Sequence, residues 1–334
     1  MSKVAVVILN YNGRDHLLRF LPTLIAHSSD AEIIVADNCS TDDSLSVLKQ
    51  FPTVRTILLD QNHGYAGGYN EALKQVKSAY YLLVNSDVEV TPNWITPLEH
   101  FLDENKDYAA VQPKILDFNR KEFFEYAGAA GGFLDLLGYP YCRGRIFDTL
   151  EQDTGQYDTS IDIFWASGAC FMIRSEVFHQ AGGFDADFFA HMEEIDLCWR
   201  VKSLGLKIAC VPKSVIYHVG GGTLNKTSPR KTYLNFRNGI SLLIKNLPLP
   251  TLMVALPIRL VLDWMAALLF WKNESFSHFT AVFKAHVDAL KVVFRQIKLN
   301  IRSGTRLRNQ GNVILPIAYY VLRKRNFKKI NNTK

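Results

Sequence analysis

A chain of 334 residues, 48% of them hydrophobic, is long enough for one α/β domain plus an extension and can bury a large core. Its five scattered Cys form no Cys-x-x-Cys pair, which excludes a disulfide scaffold and points to reduced thiols in a cytoplasmic protein. The net charge of +6 is unevenly spread, as the C-terminal region shows below, and no basic-then-apolar leader precedes the first apolar run, so secretion is not expected.

Val4–Asn10 and Glu32–Asp37 are short, β-branched runs with little alternation, the pattern of parallel strands covered on both faces. Each ends in a polar side chain, Asn10 or Asp37, and then turn residues lead into a helical pattern. Asn10-Tyr-Asn12-Gly13 precedes a helix predicted over Arg14–Ile25. Asp37-Asn-Cys-Ser-Thr-Asp-Asp43 precedes one running to Phe51, with Ser40 or Thr41 as its cap. A third strand at Val54–Leu59 leads to Asn62-His-Gly-Tyr-Ala-Gly-Gly-Tyr-Asn70, where glycines let backbone N–H groups approach an anion at a helix N-terminus, a seat for a diphosphate.

Tyr80-Tyr-Leu-Leu-Val-Asn-Ser-Asp87 then drives an apolar run into a carboxylate where a buried strand should surface. Asn-Ser-Asp is also ordinary turn chemistry. Ligands of open α/β sheets nevertheless collect outside the carboxyl ends of strands, which makes Asp87 a candidate to hold a metal ion or a sugar nucleotide. Right-handed crossovers bring Asn10, Asp37, Asp87 and the Gly-rich turn to one edge. Neither Gly-x-x-x-x-Gly-Lys nor a Gly-x-Gly-x-x-Gly after the first strand is present, which argues against a P-loop NTPase and a simple dehydrogenase.

In the second half, Glu193, Glu194 and Asp196 open a helix predicted to run to Leu204, where Gly205 ends it. Acids in a first turn are stabilised by the helix dipole alone. Two adjacent Glu behind the apolar Phe188-Phe189 should differ in solvation, however, so that one can be tuned as a general base. Ile208–Pro212 and Ser214–His218 read as two more strands. His218, at the end of the second, becomes a candidate metal ligand if the fold pairs it with Asp87.

After Asn238 the character changes. Leu247–Trp271 is nearly long enough to span a bilayer but contains Pro257, Arg259 and Asp263, so an interfacial or docked helix is expected rather than a span. From Lys284 to Lys334 there are thirteen Lys/Arg against one acid, Asp288. Apolar residues interleave with those cations at Val292–Leu299 and Ile314–Leu322, which predicts amphipathic helices on an anionic membrane surface. No reading module or stacking surface for nucleic acid accompanies the charge.

The runs Val6–Asn12, Asp37–Asp42, Asn62–Asn70, Asn85-Ser-Asp87, Trp165–Cys170, Glu193–Arg200 and Tyr217-His218 together resemble the ordered motifs of the family 2 inverting glycosyltransferases, closest to the rhamnosyltransferase-like branch. The resemblance implies an α/β GT-A fold over residues 1–240: a mostly parallel mixed sheet flanked by helices. Residues 241–334 then form a helical, basic, membrane-proximal extension. It implies a dTDP- or UDP-linked sugar donor, with Asp37 bonded to the pyrimidine base beside the Asn10–Asn12 loop, and with Asn62, Gly67 and Asn70 bordering nucleotide and phosphates. Asp87 takes the last position of the family's Asp-x-Asp metal motif. Asn85 stands in the first position, so the motif supplies one carboxylate, and His218 completes a site for Mg²⁺ or Mn²⁺.

By motif position Glu194 is the base that removes the acceptor proton, with Glu193 in reserve; the family more often has Glu-Asp here. Trp165, Gly168 and Ala169 lie beside the transferred sugar or the acceptor, the indole as a sugar platform, although a packed Trp on a strand running to Ile173 fits the same pattern. Phe184, Phe188 and Phe189 read as core. The expected activity is inverting transfer of rhamnose or a similar hexose to a hydroxyl of a lipid-linked or polysaccharide acceptor, at the cytoplasmic face of the plasma membrane. Two alternatives are a nucleotidyltransferase that uses the same edge and a non-catalytic membrane-bound scaffold.

Overall fold

The computed structural model describes residues 2–220, 228–291 and 312–331. The described residues fall into two compact units. One comprises residues 2–132, 142–189 and 193–220; the other comprises Phe133–Tyr141, Ala190–Met192 and the described residues from 228 onward.

The first unit is built on a mixed sheet. Its central strand β1 (Val4–Asn10) pairs in parallel with β2 (Glu32–Asp37) and with β4 (Tyr80–Asn85), and β3 (Arg55–Leu58) continues the parallel half beyond β2. Between them lie the helices α1 (Arg14–Ala26), α2 (Ser44–Leu48) and α3 (Gly64–Leu73); later in the chain come α4 (Thr96–Glu104), the short strands β7 (Gly132–Leu134), β8 (Pro140–Cys142), β9 (Arg145–Ile146) and β10 (Thr149–Leu150), and α5 (Ser175–Gln180). On the other side β12 (Cys170–Arg174) runs antiparallel to both β4 and β6 (Tyr108–Asp117), and β13 (Lys207–His218) is parallel to β6. The outer strands β5 (Val88–Val90) and β11 (Ile161–Asp162) pair antiparallel with β13. Burial explains the apolar runs: Val4 through Ile8 and Tyr80 through Val84 are all buried, as parallel strands with helices on both faces require.

Register fixes the functional edge. Asn10 is opposite Asp37, and Leu9 is opposite Asn85, so the strand ends chosen by the sequence pattern stop at one level of the sheet. β13 carries His218 to the same region, because its last three residues pair with β5, which starts immediately after Asp87. The two short strands expected at Ile208–Pro212 and Ser214–His218 are one strand with a register shift between Val211 and Val215, where Pro212 cannot donate to the ladder. Neither Ser40 nor Thr41 caps α2: the cap position is Asp43, without a side-chain cap bond, and the preceding Asp42 accepts the Ser44 N–H through Oδ1 at 3.0 Å.

The second unit is helical. α7 (Pro229–Asn246) packs on α9 (Phe276–Lys291), and α8 (Leu249–Asn273) packs on both. α8 is long and apolar enough, by length and composition, to cross a membrane. Of the two basic amphipathic segments expected near the C-terminus, Val292–Leu299 lies outside the described residues. Ile314–Leu322 holds a short helical stretch over 315–321, of which Ile317–Val321 is π-helical.

Candidate active site

Three layers of side chains occupy the carboxyl edge of the sheet. In the first, Asp37 is buried at the end of β2; its Oδ1 accepts from Asn10 Nδ2 at 3.0 Å and its Oδ2 from the Ser40 N–H at 2.9 Å. Ser40 Oγ accepts the Asn12 N–H, and Asn12 Oδ1 accepts the Thr41 N–H, so two successive β–α loops are cross-tied. Asn12 itself has φ 52, the left-handed conformation that Asn tolerates.

The second layer departs from expectation. The glycine-rich turn does begin α3, but its amides are occupied. The Gly64 N–H donates to Asn62 Oδ1 at 2.9 Å, while those of Tyr65 and Ala66 both donate to the Phe189 carbonyl. The turn therefore offers an anion no free amide at those three positions, and its glycines serve close packing instead: a Cβ on Gly64 would sit 2.6 Å from the Phe189 ring. Gly67 lies inside α3, where a Cβ would meet His63 at 3.0 Å. Asn70 is also structural. It clasps Phe184 with both ends of its amide, accepting the Phe184 N–H and donating to the Phe184 carbonyl.

The third layer carries the ionisable groups. Asp87 Oδ1 and His218 Nε2 are 3.1 Å apart and both buried, with Asn85 Nδ2 at 3.4 Å from the same ring nitrogen. On the far side of the imidazole, Nδ1 stands 3.3 Å from Glu125 Oε1, and Glu125 is buried on the loop after β6. Burial works to lower the His218 pKa, but the two carboxylates override it and push it up to about 10. Burial likewise opposes ionisation of Asp87, yet the neighbouring imidazolium holds its carboxyl below the usual range. Glu125 was invisible in the sequence, where it sits among aromatics with no informative spacing.

Glu193 and Glu194 open α6 (Glu193–Ser203), entered through a segment in which Phe189, His191 and Met192 adopt φ of 62, 68 and 74. Such strain in non-glycine residues gathers at functional sites. Glu193 is only 4% exposed, and burial together with the adjacent Glu194 pushes its pKa well above the usual carboxylate range. Glu194 is less buried and faces the Ser167–Ala169 turn: a Cβ on Gly168 would stand 3.8 Å from its carboxyl carbon. The Tyr65 hydroxyl fixes that turn by donating to the Gly168 carbonyl at 2.7 Å, and the Asn85 N–H donates to the Ala169 carbonyl at 3.0 Å. The turn thus joins the end of β4 to the start of α6. Trp165 does not present a sugar platform: it is 2% exposed, its ring so close to Gly132 that a Cβ there would sit 2.1 Å away. Phe184 and Phe188 are buried, as expected.

Among the described residues no three His, Cys, Asp or Glu side chains converge to hold a metal by themselves. Asp87, His218 and Glu125 are strung through the imidazole rather than aimed at one point. The donor set still suits a hard divalent cation: one carboxylate and one imidazole side by side, the ring's other nitrogen against a carboxylate as in metal sites generally, leaving remaining positions for ligand oxygens.

A mixed sheet of this order, with polar groups gathered at its carboxyl edge, has the GT-A fold. Solved structures with this fold include GalNAc-T7 with UDP, GalNAc and Mn²⁺ (TM-score 0.59, 16% identity, covering 93% of this chain and 59% of that one). Another is Staphylococcus aureus TarS 1–349 in complex with UDP-GlcNAc (TM-score 0.57, 16% identity, 89% and 83% covered). The chain belongs to Glycosyl transferase family 2, whose sequence profile matches residues 5–182. It is 27% identical over 233 residues to the N-acetylglucosaminyl-diphospho-decaprenol L-rhamnosyltransferase of Mycobacterium tuberculosis, covering 64% of this chain and 75% of that protein. It is 26% identical to rhamnosyltransferase WbbL of Escherichia coli, covering 63% and 80%.

Proposed function

We propose that the protein is an inverting glycosyltransferase that moves rhamnose or a similar hexose from a nucleoside-diphosphate sugar, dTDP- or UDP-linked, to a hydroxyl of a lipid-linked or growing polysaccharide acceptor. The observation that carries this reading is the Ser167–Ala169 turn, which lies against Glu194 on one side and is bonded to the Asn85 end of the Asp87 strand on the other. A base and a phosphate-side cation site thus flank one small, glycine-lined stretch of backbone. The name of the mycobacterial relative supports a diphosphate-linked lipid acceptor, and a lipid acceptor in turn favours work at the inner face of the plasma membrane.

In this mechanism Asp37, Asn10 and Asn12 border the base and ribose. Asp87 and His218 would hold Mg²⁺ or Mn²⁺, which supplies charge neutralisation at the departing diphosphate. Glu125 keeps His218 oriented. Glu194 accepts the acceptor hydroxyl proton as that oxygen attacks the anomeric carbon from the face opposite the leaving group, giving inversion in one step. Glu193 is unsuited to that role, since its environment favours the protonated form. Tyr65 holds Gly168 in place so that no side chain obstructs the approach.

The test is a panel of nucleotide sugars offered with a polyprenyl-diphosphate GlcNAc acceptor, the anomeric configuration of the product being read by NMR. Transfer with inversion supports the reading. Release of pyrophosphate would instead favour a nucleotidyltransferase, and absence of any turnover a scaffold.

A further inference from the structure

The polarity of α8 is inside out. Its buried stripe recurs every three or four residues at Leu252, Ala255, Arg259, Asp263 and Ala267, and that stripe contains both of the helix's central charges. Arg259 Nε donates to Asp263 Oδ1 at 2.9 Å and its Nη1 to the Leu137 carbonyl at 2.9 Å; the Tyr139 hydroxyl donates to Asp263 at 2.7 Å, and His286 lies 3.3 Å from the other carboxylate oxygen. The charges that interrupt the sequence as a bilayer span are therefore spent inside the helical unit. The opposite stripe, Val254, Ile258, Val261, Met265 and Leu268, is apolar and open, with Val254 65% and Val261 61% exposed. An amphipathic helix of a water-bathed protein shows the reverse arrangement.

The face does not stop at the end of α8. Trp271, Phe276 and Phe279 form an aromatic cluster across the α8–α9 turn, with ring centroids 5.5–5.6 Å apart, and Trp271 and Phe276 are exposed. Amphipathic rings of this kind favour the boundary between hydrocarbon and headgroups. Charge selects what covers the face. Residues 228–291 and 312–331 carry thirteen Lys/Arg against three acids, so a second copy of the chain would bring like charges together, whereas an anionic bilayer complements them.

We infer that the outward stripe of α8, extended by the aromatic cluster on α9, inserts in the plane of an anionic membrane without crossing it. α8 with its 25 residues is long enough to span, but α9 with 16 is too short and carries Lys284, Asp288 and Lys291. Because α9 packs along α8 and α7 along α9, a crossing α8 would draw charged neighbours into hydrocarbon. Lying flat buries one face and leaves the charges at headgroup level. The face is a property of the helical unit by itself, whatever reaction the other unit carries out.

The test is sedimentation of the full chain with phosphatidylglycerol-containing vesicles and with pure phosphatidylcholine, at low salt and at 1 M salt. A Val261→Asp/Met265→Asp variant runs alongside, and brominated acyl chains serve as fluorescence quenchers in the wild type and in Trp271→Phe. Insertion predicts binding to the anionic vesicles that keeps at least about half its strength in high salt, since hydrocarbon contact is not screened. It also predicts release by alkaline wash, quenching that diminishes in Trp271→Phe, and at least about tenfold weaker binding by the Asp pair. Four results would overturn it: equal binding by the Asp pair, complete loss of wild-type binding in salt, resistance to alkaline wash, or a lipid-free dimer that the Asp pair dissolves. The quenching is read on the wild-type fold, so it decides the matter even if the Asp pair is unstable.

Discussion

At the scale of single residues, two neighbouring glutamates are separated by environment rather than by chemistry. Glu194 lies beside the Gly168 turn, whereas Glu193 is buried with its proton favoured by burial and by Glu194. Glu194→Gln is expected to lower turnover by roughly 10²-fold or more while donor binding, followed by thermal shift, stays nearly unchanged, because the proposed base is lost but its size is kept. If Glu193→Gln gives that pattern and Glu194→Gln is silent, the base lies one position upstream. Glu193 also makes a pH signature. A carboxyl whose pKa is raised on folding binds its proton more tightly in the native state, so its contribution is fully present below the unfolded pKa and is lost as pH rises through the folded one. Glu193→Gln should therefore melt higher than wild type at neutral and alkaline pH, with the gap closing toward pH 4; a gap of constant size would contradict the assignment. Glu125 reached this site with no signal in the sequence, and Tyr65, although inside the Asn62–Asn70 run, carries no spacing that shows its role. Each acts through a partner more than ninety positions away in the chain, and no local spacing encodes that.

At the scale of elements, legibility followed burial. β1, β2 and β4 were plain because strands covered on both faces need unbroken apolar runs, and α6 because its acids, apolar spacing and Gly205 stop agree. The glycine-rich turn misled for a physical reason: glycine permits close approach of an anion and of another backbone equally well, and here the Phe189 carbonyl took the amides. Trp165 misled similarly, since an indole suits a sugar and a core alike. In sequence α8 is an apolar helix interrupted by two charges; in the fold both charges lie on its buried face and most of its large apolar residues on the open one. The Arg259–Asp263 pair has a consequence for stability. Removing one partner strands a buried guanidinium, which typically costs about 3–5 kcal/mol, so Asp263→Ala should lower the denaturation midpoint strongly. Leu268→Ala, on the exposed face, should fall within about 0.5 kcal/mol of wild type in water. Equal effects of the two changes would mean that α8 packs the other way round.

At the scale of the whole molecule, the proposed cation site depends on three distant parts of the chain meeting: the end of β4 brings Asp87, the end of β13 brings His218, and the loop after β6 brings Glu125. Two protein ligands are few for a divalent cation, so affinity should depend heavily on the diphosphate and be weak without it. Asp87→Ala and His218→Ala are each expected to raise the Mn²⁺ concentration needed for half-maximal turnover at least about tenfold, and Glu125→Gln to do so by about tenfold through loss of imidazole orientation alone. Calorimetric titration of Mn²⁺ in the presence of the nucleoside diphosphate should rank the variants in the same order, which separates a binding defect from a catalytic one. In Glu125→Gln the maximal rate at saturating metal should return close to wild type, since no group that touches substrate has been changed. Full activity of the wild type in EDTA would remove the cation from the mechanism, and His218 would then act as a protonated imidazole between two carboxylates, meeting the departing diphosphate directly.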